Sequence, residues 1–72
     1  MVTQSSFKLR DDFVELFKLL KIEGLASSGA EAKNFVSAGL VKVNGEVELR
    51  KRKKLFAGDM VNFADHQIEI KT

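Results

Sequence analysis

The stretch SSGAEAKNFVSAGLVKVNGEVEL, residues 27–49, decides the fold because its periodicity changes partway along. Before Gly39 the apolar residues recur at the spacing of a helix. After Gly39 they alternate as in a strand, and the Asn-Gly pair at 44–45 is the dipeptide most typical of a tight hairpin turn. The stretch therefore predicts a helix followed by a β-hairpin.

This helix has sequence signals at both ends. Ser28 and Glu31 have the S-x-x-E spacing of a capping box, and Gly39 is a natural helix stop. The first backbone N–H groups of such a helix form a potential phosphate site, and Gly29 would leave room for close approach. Gly29 and Lys33, four residues apart, are expected to share a face directed away from the first helix.

The first helix is predicted over residues 12–23. Apolar residues recur there at i, i+3, i+4 and i+7, starting from Phe13. Asp12 and Glu15 have the spacing of a capping-box-like start, and Gly24 is expected to end the helix.

Two registers are open for the hairpin. A two-residue turn would place Val43 opposite Glu46, which mixes apolar and charged residues on one face. A three-residue connection with a glycine bulge instead pairs Lys42 with Glu46 and Val41 with Val47. We favour the three-residue connection because it separates the two kinds of residue.

Further strands complete a small sheet. We expect a short opening strand at residues 7–9, a strand around residues 53–56, and two more at MVNF (60–63) and QIEI (67–70). The sequence thus predicts one α+β domain, residues 1–72, with two packed helices on a small antiparallel sheet.

The composition excludes several classes of function. No cysteine occurs among the 72 residues, so a disulfide framework and a thiolate metal site are both ruled out. The first residues lack the apolar core that a signal peptide requires, and no run of roughly 18 apolar residues occurs. We therefore expect a cytoplasmic monomer without a membrane partner. The single histidine, His66, falls in an expected turn, and no nucleophile–base pair or metal-ligand cluster accompanies it. We therefore expect no catalytic activity, no metal and no small-molecule cofactor.

Five consecutive positive charges form what we call the basic segment, Arg50-Lys51-Arg52-Lys53-Lys54. The chain has 12 basic and 10 acidic residues, so only seven basic residues remain outside the segment. The protein is thus a mildly acidic domain with one concentrated basic patch, which indicates a docking site for a polyanion.

The basic segment cannot be buried. Alternate residues of a strand point to opposite faces, so either face would carry unpaired charges. We expect a protruding loop or an exposed edge strand, anchored by Leu49 and Leu55. Lysines on an edge strand also prevent unwanted strand pairing, but five adjacent like charges exceed that need.

Residues 25–59 carry a series of short motifs. A Ser-x-x-Glu-Ala helix start lies at 28–32, an apolar-x-x-Gly-x-Val-x-Val-Asn-Gly passage at 36–45, and a Gly-Asp pair at 58–59. In these motifs the sequence resembles the S4 (αL) RNA-binding domain, in particular its standalone bacterial members. The family commonly has an arginine where this chain has Gly29, which suggests that binding has moved toward the basic segment.

The resemblance implies two helices on a small curved sheet, with structured RNA of the rRNA or tRNA class lying along the second helix and the hairpin. The candidate RNA-binding residues are Ser28, Gly29, Lys33, Lys42, Arg50, Lys51, Arg52, Lys53 and Lys54. Tyrosine and tryptophan are absent and the six phenylalanines mostly have core spacing, so we expect recognition through phosphates and 2′-hydroxyls rather than base stacking.

Two other kinds of partner remain open. The basic edge of a protein-interaction adaptor could dock an acidic protein surface. Double-stranded DNA is less favoured, because no helix with base-reading Arg, Asn and Gln side chains is evident.

Overall fold

The structure, a computed structural model, describes residues 2–72. Within that range seven short strands and two helices follow one another. In chain order they are β1 (Thr3–Lys8), β2 (Val14–Glu15), α1 (Leu16–Ile22), α2 (Gly29–Ser37), β3 (Val41–Val43), β4 (Glu46–Val47), β5 (Lys54–Leu55), β6 (Met60–Phe63) and β7 (His66–Lys71).

The strands form two sheets. Five of them lie in the order β1-β7-β6-β3-β4, and β2 pairs with β5 in a separate two-stranded sheet. The α+β class and the two packed helices are confirmed. An opening strand is present, but it runs over Thr3–Lys8 rather than residues 7–9. The larger sheet is mixed rather than wholly antiparallel, because β1 runs parallel to β7. These two strands come from opposite ends of the chain, so no tight turn forces them to be antiparallel.

The two helices cover one face of the five-stranded sheet. Val41 and Val43 of β3 are buried, so Lys42 between them points to the opposite face. That outer face is polar, with Lys42 beside Asn62 and Asn62 beside Gln67. The buried core consists of Leu16, Phe17, Leu19, Leu20, Ala26, Ala32, Val36, Val41, Val43, Leu55, Val61, Ile68 and Ile70.

The first helix begins later than the sequence predicts. α1 starts at Leu16, and Glu15 at its N-cap makes no side-chain capping bond. The two residues of β2 pair instead with β5, which holds the chain extended up to the helix. The predicted start at Asp12 is therefore wrong, because a strand from a distant part of the sequence overrides the local signal. The predicted end is right, since Gly24 follows the helix with φ of +76°.

The second helix has the predicted ends. The Ser28 hydroxyl accepts a hydrogen bond from the N–H of Glu31 at 3.1 Å. The Glu31 carboxylate accepts from the N–H of Ser27 at 3.0 Å, one residue before the cap. Gly39 lies beyond the last turn with φ of +77°. Contacts between near neighbours in sequence thus define this helix.

The hairpin adopts the tighter register. Lys42 lies opposite Val47. Val43 lies opposite Glu46, so the favoured three-residue connection is wrong. The Asn-Gly pair at 44–45 has φ values of +53° and +86°, as a two-residue type I′ turn requires. The pairing of Val43 with Glu46 is tolerated because β4 is only two residues long and both of its residues are exposed.

Candidate nucleic-acid interface

The basic segment forms a tight turn against the start of α1. The N–H of Lys53 donates to the carbonyl of Arg50 at 3.2 Å, which closes the turn. The N–H of Leu16 donates to the carbonyl of Lys53 at 2.9 Å. The N–H of Phe17 donates to the carbonyl of Lys51 at 3.1 Å. The first N–H groups of a helix lack acceptors within the helix. Here two carbonyl groups of the basic segment act as their acceptors.

This arrangement leaves the charges of the basic segment on the surface. Four of its five residues are exposed and Lys53 is half-buried. Leu55 is fully buried and anchors the far end, as expected. Leu49 is 60% exposed and is not an anchor. The hydrogen bonds to α1 hold that end instead, and sequence reasoning missed them because they join residues more than thirty positions apart.

One aromatic ring connects the basic segment to both helices. The Nζ atom of Lys33 on α2 lies 4.7 Å from the centroid of the Phe17 ring. The Cζ atom of Arg52 lies 5.5 Å from the same centroid, and the Nζ atom of Lys18 lies 5.9 Å from it. Cations within about 6 Å of a ring centroid are attracted to the ring. Phe17 therefore brings together cations from α1, α2 and the basic segment.

The start of α2 lies against the same ring. A Cβ atom placed on Gly29 would be 3.7 Å from Phe17, so Gly29 and Lys33 face α1 rather than away from it as predicted. The Ser28 hydroxyl is engaged as a cap acceptor, which leaves its hydrogen free to donate. The Glu31 carboxylate stands at the same helix end, so an anion bound there would face a like charge.

Lys42 lies apart from the other candidate residues. It is exposed on the outer face of the sheet, between Val47 of β4 and Asn62 of β6. The helices cover the opposite face, so Lys42 does not lie beside the start of α2. Successive side chains of a strand point to opposite faces of the sheet, and Val41 and Val43 point to the buried face. Lys42 between them therefore points to the outer face.

Two carboxylates partly neutralise the positive charge of this surface. Glu48 accepts hydrogen bonds from the guanidinium of Arg50 at 2.9 and 3.1 Å. These bonds lower the pKa of Glu48 below its ordinary value and raise the pKa of Arg50. Glu15 lies 3.1 Å from Lys18 and 3.8 Å from Arg52. Within residues 2–72 the three lysines of the basic segment make no ion pair of this kind.

Two phenylalanines lie on the surface beside the basic segment. Phe13 is 37% exposed and Phe56 is 49% exposed, and their ring centroids are 6.0 Å apart. The Nζ atom of Lys54 lies 4.9 Å from the centroid of Phe13. Sequence reasoning missed this pair because Phe13 fits the apolar spacing of the first helix, although it precedes the first residue of α1.

A shallow depression joins one ring of the aromatic pair, Phe56, to the charges. Its volume is about 460 Å³. It is lined by Arg50, Arg52, Lys53, Lys54 and Phe56. Most of the basic segment therefore shares one concave surface with an exposed ring.

No group of three or more His, Cys, Asp or Glu side chains among residues 2–72 is placed to hold a metal ion. Neither of the two helices in that range is long and apolar enough to cross a membrane.

Relatives of the chain were found by sequence and by structure. The protein named "Putative RNA-binding protein YbcJ" of Escherichia coli (strain K12) is 53% identical over 57 residues, which cover 79% of this chain and 81% of YbcJ. The "Uncharacterized protein YbcJ" of Shigella flexneri matches with the same identity and coverage. The solution structure of YbcJ from E. coli, described as revealing an αL motif involved in RNA binding, superposes with a TM-score of 0.74 and 45% identity. That match covers all of this chain and 92% of the other.

A family model agrees with these relatives. The model described as the S4 domain matches residues 7–71 of this chain, nearly its whole length. This non-catalytic family agrees with the expectation that the chain is not an enzyme. The motifs at residues 25–59, the helices packed on a mixed sheet and the αL relative lead to the same assignment. The chain belongs to the S4 domain family.

Proposed function

We propose that this chain is a single, non-catalytic domain that binds structured RNA of the rRNA or tRNA class. The basic segment and the start of α2 contact phosphates, and the fold recognises the shape of the RNA rather than its sequence. Two observations support this proposal: the relative YbcJ is named "Putative RNA-binding protein" and has an αL motif described as involved in RNA binding, and the chain belongs to the S4 family.

The observation that carries the proposal is the convergence of cations on Phe17. Lys33 and Arg52 come from different elements, yet both lie over one ring. Charges held close together in this way match the repeated phosphates of a folded RNA backbone better than a single anionic group. The backbone bonds to α1 hold the segment in place before the ligand arrives.

Within this proposal the candidate residues have unequal roles. Arg52, Lys33 and the lysines of the basic segment supply the phosphate contacts. Ser28 and Gly29 contribute one hydroxyl donor and a close approach to the start of α2, where Glu31 limits the gain. Lys42 would touch RNA only if the ligand wraps around the sheet edge to its outer face.

A salt titration of RNA binding tests the proposal. The probe is a fluorescently labelled rRNA hairpin, and binding is followed by anisotropy. If about four phosphates are contacted, the logarithm of the affinity should fall against the logarithm of salt with a slope of about −3 to −4. The test variant combines three substitutions, Lys51→Gln, Arg52→Gln and Lys54→Gln.

A control variant distinguishes the effect of losing the basic segment from the effect of lowering the net charge. It removes three positive charges on β1, α1 and β7, through Lys8→Gln, Lys21→Gln and Lys71→Gln. We expect the test variant to lose affinity and to have a slope shallower by about 2 to 3, while the control stays near the native protein. Equal losses in both variants would place the site elsewhere. No binding by the native protein at low salt would overturn the proposal and favour an adaptor for acidic proteins.

A further inference from the structure

Phe13 of the exposed aromatic pair also lines a second, larger concavity. This groove has a volume of about 730 Å³ and runs beside α1. Phe13, Val14 and Ile22 are among its apolar lining residues, and Lys54 stands at its rim. The phosphate contacts proposed above do not involve the apolar surface of this groove.

Lys54 belongs to both concave surfaces. It lines the basic depression together with Phe56, and it lines the apolar groove together with Phe13. The two rings therefore lie where a surface suited to phosphates meets a surface suited to flat apolar groups. One nucleotide has the same two parts, a phosphate and a base, joined by a sugar.

We propose that Phe13 and Phe56 form a stacking platform for an unpaired base of the bound RNA. Lys54 contacts the phosphate of that nucleotide, and the base stacks on the Phe56 ring beside the groove. The Phe13 ring, tilted by 49° relative to Phe56, lies against the edge of the base. The proposal rests on the RNA-binding function proposed above and deepens it, because it selects RNA with an unpaired nucleotide beside a helix. Base stacking on aromatic side chains tolerates any base, so no sequence preference is implied.

The charges around the groove favour a nucleotide over an apolar peptide. Lys54, Lys18 and Arg10 line the groove as cations. Two carboxylates, Asp11 and Glu15, also line it, and Glu15 is paired with Lys18 at 3.1 Å. The three cations thus exceed the two anions by one positive charge. A purely apolar partner would have to desolvate the Lys54 ammonium at the rim, whereas a phosphate would pair with it.

Two RNA probes of matched sequence test this proposal. The first is a blunt RNA duplex, and the second is the same duplex with a single-stranded adenine overhang. The native protein is compared with Phe56→Leu, which keeps an apolar side chain but removes the flat ring. Leu49→Ala serves as the control, because Leu49 is also exposed but lies in neither concavity.

We expect the native protein and Leu49→Ala to bind the overhang probe about tenfold more tightly than the blunt duplex. Phe56→Leu should lose this preference while keeping its affinity for the blunt duplex. Aromatic ¹H–¹³C NMR provides an independent readout, since a stacked base shifts the ring signals of Phe56 upfield.

The outcomes separate the two proposals. Equal binding of both probes by the native protein, with unmoved ring signals, would overturn the stacking platform and leave the phosphate site intact. Phe56→Leu retaining the full preference would likewise overturn it. Failure of the native protein to bind either probe at low salt would overturn RNA binding itself. The apolar groove would then be a candidate surface for a protein partner.

Discussion

Glu48 determines how much of the charge in the basic segment is available to a ligand. Its carboxylate accepts two bonds from the Arg50 guanidinium and a third from the Arg50 backbone N–H at 3.0 Å. Arg50 is therefore a largely neutralised member of the segment. The side chain of Glu48 is 14% exposed, so the pair is held against the protein although the arginine itself is open to solvent.

Replacing Glu48 with glutamine should affect stability in a pH-dependent way. The bonds from Arg50 depress the pKa of Glu48 in the folded state, so its ionised form stabilises the fold above the ordinary pKa of a glutamate. That contribution disappears as the pH falls through the lowered pKa. Urea unfolding should show native protein more stable than Glu48→Gln at neutral pH, with the difference vanishing in strong acid. An unchanged difference at both pH values would contradict the pairing.

The same substitution should strengthen RNA binding. Freeing Arg50 adds an available cation to the surface, and we expect roughly threefold tighter binding at low salt from the loss of an exposed ion pair. Glu46→Gln, on the exposed strand β4, is the matched control and should change affinity less.

At the scale of elements, the parts that the sequence predicted well are those defined by near neighbours. The capping box of α2 joins residues three and four positions apart, and its pattern is sufficient to locate the helix. The start of α1 depends on pairing with β5, about forty residues away, so no local pattern reveals it. The hairpin register likewise depends on β4 being short and exposed. The spacing of apolar residues in the sequence does not reveal that β4 is exposed.

The same distinction applies to the candidate site. The basic segment is visible in the sequence because its charges are adjacent. The junction at Phe17 is not visible, because Lys33 and Arg52 reach it from different elements. The exposed ring pair is hidden for the same reason, since Phe13 and Phe56 are brought together by the pairing of β2 with β5.

Two glycines that end or begin helices should respond oppositely to alanine. Gly39 has φ of +77°, so Gly39→Ala should destabilise the protein by about 1 kcal/mol, although its nearest neighbours at 3.8 and 3.9 Å leave space for a methyl group. Gly29 is at the start of α2 without positive φ and has ordinary contacts at 3.7 Å. Gly29→Ala should therefore be neutral or stabilise by up to about 1 kcal/mol. Thermal unfolding of both variants measures the contrast, and equal destabilisation would refute it.

At the scale of the whole molecule, charge is distributed very unevenly. The net charge is only +2, yet five positive charges are consecutive. Arg50 and Arg52 have acidic neighbours, whereas Lys51 between them makes no ion pair with any of residues 2–72. Repulsion within the segment should therefore oppose folding at low ionic strength.

A charge series at Lys51 tests this repulsion. Lys51→Glu should raise the free energy of unfolding by about 0.5 kcal/mol at low salt, and Lys51→Gln by about half as much. Salt near 1 M, where the Debye length is about 3 Å, should remove both gains. RNA affinity should fall in the order native, glutamine, glutamate. Destabilisation by glutamate at low salt would show that the segment is not under repulsion.

The two hydrogen bonds from α1 to the basic segment also affect how much conformational entropy the segment would lose on binding a ligand. A loop that orders only on binding loses conformational entropy at that moment, which lowers the affinity it can reach. Here the helix has ordered the backbone at residues 51 and 53 already, so only side chains remain to be immobilised. A rearrangement of the segment backbone would have to break these two hydrogen bonds and leave two N–H groups of the helix without acceptors. If the segment binds RNA as proposed, an RNA whose phosphates do not fit the existing spacing would be rejected by stiffness rather than by any repulsive contact.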